Sequence, residues 1–310
     1  MKISKLIILL FFILSSTFFT NFSKADSLHI GIENDVFLHD DSDFTHGTQI
    51  LWKHSSPLWI FDEWGIDVIQ NMYTPGDIED PEIQYGDRPY CGLLMGSFLG
   101  ENTIPSRYGN IKIEQELGLG ITGKASLAEF NQKKVHSLIR SRTPRGWDNQ
   151  IAEEPIIQYQ GYFALNHKLI DYKYFTILDI WKSSIMLGTF KDQLSFGLDF
   201  NMGLNPEENC GKVYSFSASQ LSKEKIKTRI YGIYGLEIKR VLHDTSLDGT
   251  LFRKSEYTID SENFVAEAHV GFTTEIWKFG VNFLYIVRTK EYESQDVSPD
   301  YCRLSFNLNF

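Results

Sequence analysis

Three short stretches of this chain carry side chains suited to hydrolytic chemistry. Glu33-Asn34-Asp35 places two carboxylates and an amide at the end of an alternating segment. Hard oxygen donors of this kind suit Ca2+, and they suit equally well a strand cap whose polar groups meet water. For an isolated motif the cap is the simpler reading. Gln132 and His136 stand four apart in a segment with helical character, which puts them on one helix face. An unperturbed imidazole titrates near about 6.5, so a histidine can take a proton from water at neutral pH. A lone surface histidine usually does nothing; a polar partner one turn earlier makes this one a candidate base. Gly86-Asp87-Arg88-Pro89-Tyr90 is dense in turn residues and charge, and its Arg–Asp pair is consistent with nothing more than an ordered loop. No Gly-x-Ser-x-Gly elbow and no His-Glu-x-x-His pair occurs, so no serine nucleophile or zinc helix is offered by motif.

The elements that must hold these residues are strands. From Tyr301 to Phe310 the chain alternates, with Cys302, Leu304, Phe306, Leu308 and Phe310 on one face and Tyr301, Arg303, Ser305, Asn307 and Asn309 on the other. A final strand with one apolar face, ending on an aromatic, is expected of a bacterial outer-membrane β-barrel. Similar alternation occupies 27–36, 44–54, 64–74, 89–100, 109–122, 155–166, 172–181, 183–190, 193–204, 228–241, 262–274, 276–289 and 301–310. That makes thirteen segments, and single-chain barrels of this kind have even strand numbers, so 172–190 is read as one strand. The expected fold is all-β: a twelve-stranded antiparallel transmembrane β-barrel of the outer-membrane type. A soluble β-sandwich would account for the alternation but not for the terminal Phe or the aromatic outer faces.

Composition agrees. Aromatics reach 14%, suiting interfacial girdles, and mean hydropathy is only −0.22, as expected when half of each strand faces a polar lumen. A net charge of −10 argues against a nucleic-acid partner. Lys2 and Lys5 precede an apolar run from Leu6 to Phe19, and Ser23-Lys24-Ala25 follows with small residues, the pattern of a signal peptide cut near Ala25–Asp26. Residues 26–310 then form one barrel domain, exported to the outer membrane. The three cysteines, Cys91, Cys210 and Cys302, have no metal-site spacing, and no essential disulfide is expected; Cys302 is placed on the lipid face. Longer connections are expected at 55–63, 75–88, 123–154, 205–227 and 242–261, the long ones on the outer side. Within the third, Ala125 to Arg140 is expected to be a short outer-loop helix, with Ser126 and Glu129 as a capping box and with Leu127, Val135, Leu138 and Ile139 able to pack against a neighbouring element.

Six motifs occur in order over residues 30–155: Glu33-Asn34-Asp35-Val36-Phe37; Phe44-Thr45-His46-Gly47; Tyr73-Thr74-Pro75; Gly86-Asp87-Arg88-Pro89-Tyr90-Cys91-Gly92; Gln132-x-x-x-His136; and Gly146-Trp147-Asp148-Asn149-Gln150 with Glu154-Pro155. Together they resemble the outer-membrane lipid A 3′-O-deacylase family of LpxR-like proteins. The resemblance implies an active site between the outer barrel wall and a helical loop, Ca2+ dependence, and ester hydrolysis that releases the 3′-linked acyloxyacyl chain of lipid A. Carried over, His136 is the base on water, Gln132 supports the site, Asn34, Asp35 and Thr45 line it, and Asp35 is the first choice for holding the metal or orienting the histidine. Arg88 and Arg142 are the candidate substrate-binding cations. Two departures stand out. Arg142 occupies the place of an acidic residue six positions after the histidine, flanked by Arg140 and Arg145. The turn after Tyr73-Thr74-Pro75 reads Asp77-Ile78-Glu79-Asp80 where the family carries basic residues.

The leading expectation is a monomeric Ca2+-dependent lipid A ester hydrolase, with lipopolysaccharide as substrate. A catalytically inactive barrel of the same family, serving as a surface or scaffold protein, is the alternative that Arg142 raises. A Ser–His outer-membrane phospholipase would need a serine beside the histidine, and Ser137 and Ser141 are poorly placed. A porin has no use for a loop helix and ordered polar motifs.

Overall fold

In lipid an unpaired strand edge has no partner for its N–H and C=O groups, so strands that cross a membrane must close on themselves. The computed structural model shows such a closure. It describes residues 26–34, 43–206 and 228–310, with 43–45 as backbone only. Twelve strands form the barrel: β1 (Asp26–Asn34), β2 (Asp43–His54), β3 (Glu63–Thr74), β4 (Cys91–Ser106), β5 (Gly109–Thr122), β6 (Pro155–Tyr172), β7 (Phe175–Gly188), β8 (Lys191–Leu204), β9 (Arg229–Asp244), β10 (Phe264–Ile276), β11 (Phe279–Arg288) and β12 (Asp300–Asn309). Each is antiparallel to its sequence neighbour, and β1 pairs with β12 from Ser27↔Asn309 to Asn34↔Cys302. The Phe310 N–H donates to the Asp26 carbonyl at 2.9 Å, which ties both ends of the described chain at one rim. All odd-to-even connections therefore emerge at the opposite rim.

The expected segments map onto these strands, with three corrections. The segment 172–190 is one strand, but it starts at Phe175 because β6 runs on to Tyr172. The turn between β10 and β11 is Trp277-Lys278, so β10 runs two residues past the expected 274 and β11 starts later than the expected 276: Ile276 pairs with Phe279, and Trp277 takes the left-handed conformation at φ 58°. β2 and β8 end, and β3 and β9 begin, at the rim of the termini, so the connections expected at 55–63 and 205–227 join even to odd strands and are not outer loops. Residues 207–227, with Cys210, lie outside the described residues, as do 1–25 and 35–42. Cys91 and Cys302 are free thiols.

Alternation sends apolar side chains outward and charged ones into the lumen. Outward residues such as Ile66, Leu119, Phe196, Leu236 and Phe272 are exposed. The inward row is bound into buried ion pairs. Glu101 takes Lys53 at 2.5 Å and Lys112 at 2.8 Å; Asp199 takes Lys182 at 2.8 Å; Glu267 takes Lys239 and Arg288 at 2.6 Å each; Glu33 takes Arg303 at 2.7 Å. The inward rows also hold an apolar cluster that includes Ile69, Tyr73, Leu93, Tyr231, Ile233 and Leu284. Above it the outer loops lock together: the Glu154 carboxylate accepts the Phe252 and Arg253 N–H groups at 2.9 Å, and Gly86 N–H donates to the Tyr257 hydroxyl at 2.8 Å. A cavity of about 40 Å³ among Lys191, Lys239, Asp244, Arg288 and Glu291 lies in this filled interior. The interior is packed, which does not suit a pore.

One helix, α1 (Ala128–Ile139), lies on the outside of the wall. Met72 belongs to the outward row of β3 with Ile66 and Val68, yet it is only 4% exposed because it is covered by Ala128, Tyr90 and Trp147. Beside it on β4, Gly92 has no side chain for a steric reason: a Cβ there would collide with Ser126 Oγ and Ala128 Cβ. Gln70, also outward on β3, ties the helix down by accepting from Asn131 Nδ2 and donating to the Ser126 carbonyl, both at 2.7 Å.

Two outcomes follow from this packing. Gly92→Val lifts α1 from the wall, so trypsin should cut at the exposed Lys133 and Lys134 while the barrel keeps its heat-modifiable mobility; uncut protein would show that the helix is held elsewhere. Glu101→Ala strips Lys53 and Lys112 of their shared carboxylate and should cost about 3–5 kcal/mol, read as a lower urea midpoint of the refolded barrel.

Candidate active site

The helix that carries Gln132 and His136 is set by its ends. Its N-cap is Leu127 in the left-handed conformation at φ 60°, and it has no side-chain cap. The expected capping box does not form. Ser126 sits in a 3-10 turn, donates to the Gly123 carbonyl at 2.6 Å and receives the Ala128 N–H at 3.3 Å, while Glu129 pairs with Lys133 at 2.6 Å. The helix is also turned relative to expectation. Ala128, Gln132 and His136 face the wall, and Leu127, Val135, Leu138 and Ile139 are exposed together with Phe130. Water is not the solvent on that flank; an apolar helix face continuous with a lipid-facing wall is stable outward.

At the C-terminal end Arg140 takes the left-handed conformation at φ 61°, and its N–H, like that of Ser141 at 3.0 Å, returns to the His136 carbonyl. Such a cap turns the chain back on the last turn of the helix. It brings the Arg142 carbonyl to 2.6 Å from His136 Nδ1. A carbonyl only accepts, so Nδ1 carries the proton and the neutral imidazole is left with Nε2 unprotonated. This is the tautomer a general base requires, and the group that sets it belongs to the backbone. The unexpected arginine at this position is therefore compatible with an oriented histidine.

Gln132, one turn before His136 and also buried, accepts the Trp147 indole N–H at 2.7 Å. Trp147 is 0% exposed, and its ring centroid lies 4.9 Å from that of Tyr90. The Tyr90 hydroxyl donates to the Ile78 carbonyl at 3.0 Å; burial pushes this phenol above its ordinary range and keeps it a donor. Ile78 O also receives the Arg145 N–H at 2.8 Å. The loop that departs from the family in its acidic residues thus packs against the loop that follows the helix. Its acids build turns: Asp77 accepts the Glu79 N–H at 3.0 Å and Asp80 the Glu82 N–H at 2.9 Å.

The other expected residues divide. Asn34 is half-buried on the outward row of β1 and pairs in register with His46, which pairs with Met72, which pairs with Gly92. Three strand spacings put Asn34 roughly 14 Å from Gly92 along the wall. A twelve-residue helix is about 18 Å long, enough to cover that row. Thr45 lies at the start of β2 as backbone, and Asp35 lies outside the described residues. Arg88 is a correction. Expected as a substrate contact, it is 1% exposed, stacked 4.7 Å from the Tyr73 ring centroid, with Glu291 and Ser246 beside its guanidinium at 3.4 and 3.3 Å. Burial opposes ionisation of Glu291, but Arg288, Arg88 and Lys191 outweigh it and hold the carboxyl below the usual range. Arg88 is thus part of the lumen plug and offers no surface to a lipid. Among the described residues no three His, Cys, Asp or Glu side chains gather at one point. The described part of the site does not by itself make a Ca2+ site, and no step below passes through the metal.

Trp147, Tyr90 and Gln70 were not singled out from the sequence as site residues, although Trp147 and Tyr90 lie within the ordered motifs. Their contacts join segments 15 to 61 residues apart, which no local spacing displays.

The barrel is similar to solved outer-membrane proteins. LpxR from Salmonella typhimurium superposes with a TM-score of 0.79 at 19% identity, over 92% of this chain and 100% of that one. The KdgM porin, at 0.42 and 8% identity over 92% and 99%, and the β domain of the Bordetella autotransporter BrkA, at 0.44 and 7% over 92% and 98%, are much less alike. No curated protein matches the chain in sequence. The family described as outer membrane protein LpxR matches residues 6–310, nearly the whole chain, and the chain, with its closed twelve-stranded wall, external helix and oriented His136, belongs to the LpxR family of outer-membrane proteins.

Proposed function

We propose that this protein is a lipid A 3′-O-deacylase, a carboxylic ester hydrolase acting in the outer leaflet on lipopolysaccharide. The observation that carries the reading is His136 Nδ1 held at 2.6 Å by the Arg142 carbonyl, on a helix docked against the lipid-facing side of the wall. In this scheme His136 Nε2 takes a proton from a water molecule, and the hydroxide adds to the ester carbonyl carbon. The tetrahedral intermediate expels the sugar 3′ alkoxide, which takes the proton back from His136. The products are a free acyloxyacyl acid and a 3′ hydroxyl, and the histidine is regenerated. Gln132 stands beside His136 on the same buried face. Arg142 is half-buried, and its carbonyl orients the imidazole.

Ca2+ dependence belongs to the same proposal. Asp35, with Asn34 and Thr45 nearby in the chain, would hold the ion, and a bound cation there would offset charge developing on the ester oxygen. Export through a cleaved leader at 1–25, a single barrel domain at 26–310 and a monomeric state complete it. A Ser–His lipase is disfavoured because Ser137 is exposed and Ser141 meets His136 through its backbone N–H. The inactive-relative alternative is the one Arg142 raises, and the backbone source of the His136 contact supports the active reading over it.

Mass spectrometry of lipid A from cells expressing the chain should show loss of the 3′ acyloxyacyl group, absent with His136→Ala. Unchanged lipid A from a correctly assembled wild-type barrel would favour the inactive relative. Chelation of Ca2+ should abolish release and added Ca2+ restore it, with Asp35→Ala losing activity at any Ca2+ level; a normal Ca2+ response in that variant would remove Asp35 from the metal site.

A further inference from the structure

Gln132 holds a buried group that the scheme above leaves without a task. The residue is 3% exposed, and its Oε1 accepts the Trp147 indole N–H at 2.7 Å. An indole N–H only donates, so turning the amide over would set N–H against N–H. The chemistry of the pair fixes the amide: Oε1 faces Trp147 and Nε2 faces away. Among the described residues that Nε2 is buried and meets no acceptor. A buried donor left dry is costly, and native structures rarely retain one without a use.

Trp147 is in turn held firmly. It is 0% exposed, lies with Met72, Tyr90 and Ala128 in one cluster, and has Gly146 before it, where a Cβ would come within 2.5 Å of the Tyr90 ring. His136 follows Gln132 by one turn on the same buried face. The orphan donor and the base are therefore one helical turn apart on one face. An ester undergoing attack by water supplies what the donor lacks, a carbonyl oxygen that gains negative charge as the tetrahedral intermediate forms.

We propose that Trp147 is a positioning residue that fixes the Gln132 amide so that its Nε2–H donates to the ester carbonyl oxygen as that oxygen becomes an oxyanion. Gln132 transfers no proton; it stays an amide throughout. The inference rests on the ester-hydrolase reading and adds to it the group that meets the carbonyl oxygen from this chain.

The test is a double-mutant cycle on the full-length barrel refolded in detergent, with lipid A as substrate. Gln132→Glu keeps an acceptor for Trp147 but loses the donor, and should lower kcat about 100-fold. Trp147→Phe keeps the aromatic packing but frees the amide to turn, and should lower kcat about tenfold with KM nearly unchanged. Adding Trp147→Phe to Gln132→Glu should change nothing further, because the two act as one unit. Equal losses in both backgrounds, or wild-type kcat in Trp147→Phe, would overturn the proposal; a purely structural tryptophan would slow both backgrounds alike. A readout free of turnover accompanies it. In 15N-labelled barrel the Gln132 side-chain amide signal should shift on adding lipid A, and should not in Trp147→Phe; no shift in the wild type also overturns it. Turnover that ignores Trp147 would sink this proposal alone, whereas a correctly assembled wild type without turnover would sink the hydrolase reading and this proposal with it.

Discussion

The pairing of every backbone polar group inside lipid is the constraint from which the rest of this molecule follows. It forces closure of β1 on β12, and closure forces each strand to alternate between lipid and lumen. Twelve strands enclose more space than backbone alone fills, and this chain fills it with paired charges and an apolar cluster. With the lumen occupied and the outer loops bound to one another, the outer face of the wall is where a lipid can be met. The helix α1 is laid there.

The way α1 is laid there decides what its residues can do. Met72 and Gly92 form a seat on the outward face of β3 and β4, and Gln70 clamps it at Asn131 and Ser126. Because the wall takes the Ala128–Gln132–His136 face, the polar residues are buried and the apolar ones are exposed, the reverse of a helix on a water-soluble core. Burial then makes two hydrogen bonds decisive. The Arg142 carbonyl sets the imidazole tautomer, and the Trp147 indole sets the Gln132 amide. Neither depends on the residue that departs from the family pattern.

The acidic loop after Tyr73-Thr74-Pro75 illustrates the same economy of roles. Asp77 and Asp80 cap turns within the loop, and the loop carbonyls of Ile78 and Pro81 receive Tyr90, Arg145 and Asn149. It acts as a brace for the loop behind the helix. Arg140 and Arg145 are exposed on the segment that follows the helix.

Alternation was legible in the chain itself, because the period of a strand is two and every face of this wall has one solvent: strand order, twelve-fold closure, the outer helix and the pairing of Gln132 with His136 on one face all follow from local spacing. What local spacing could not carry was which way a side chain meets a distant one. Arg88 has the sequence neighbours of a surface turn, yet residues more than 150 positions later, Ser246 and Glu291, draw it into the lumen. The helix was expected to bury Leu127, Val135, Leu138 and Ile139, as it would in water; its setting against a lipid-facing wall inverts that choice. The sequence by itself determined a barrel and a histidine on a helix. Only the tertiary structure decided that a backbone carbonyl orients the histidine and that a buried tryptophan fixes the amide beside it, because both bonds depend on how loops return to the helix in space.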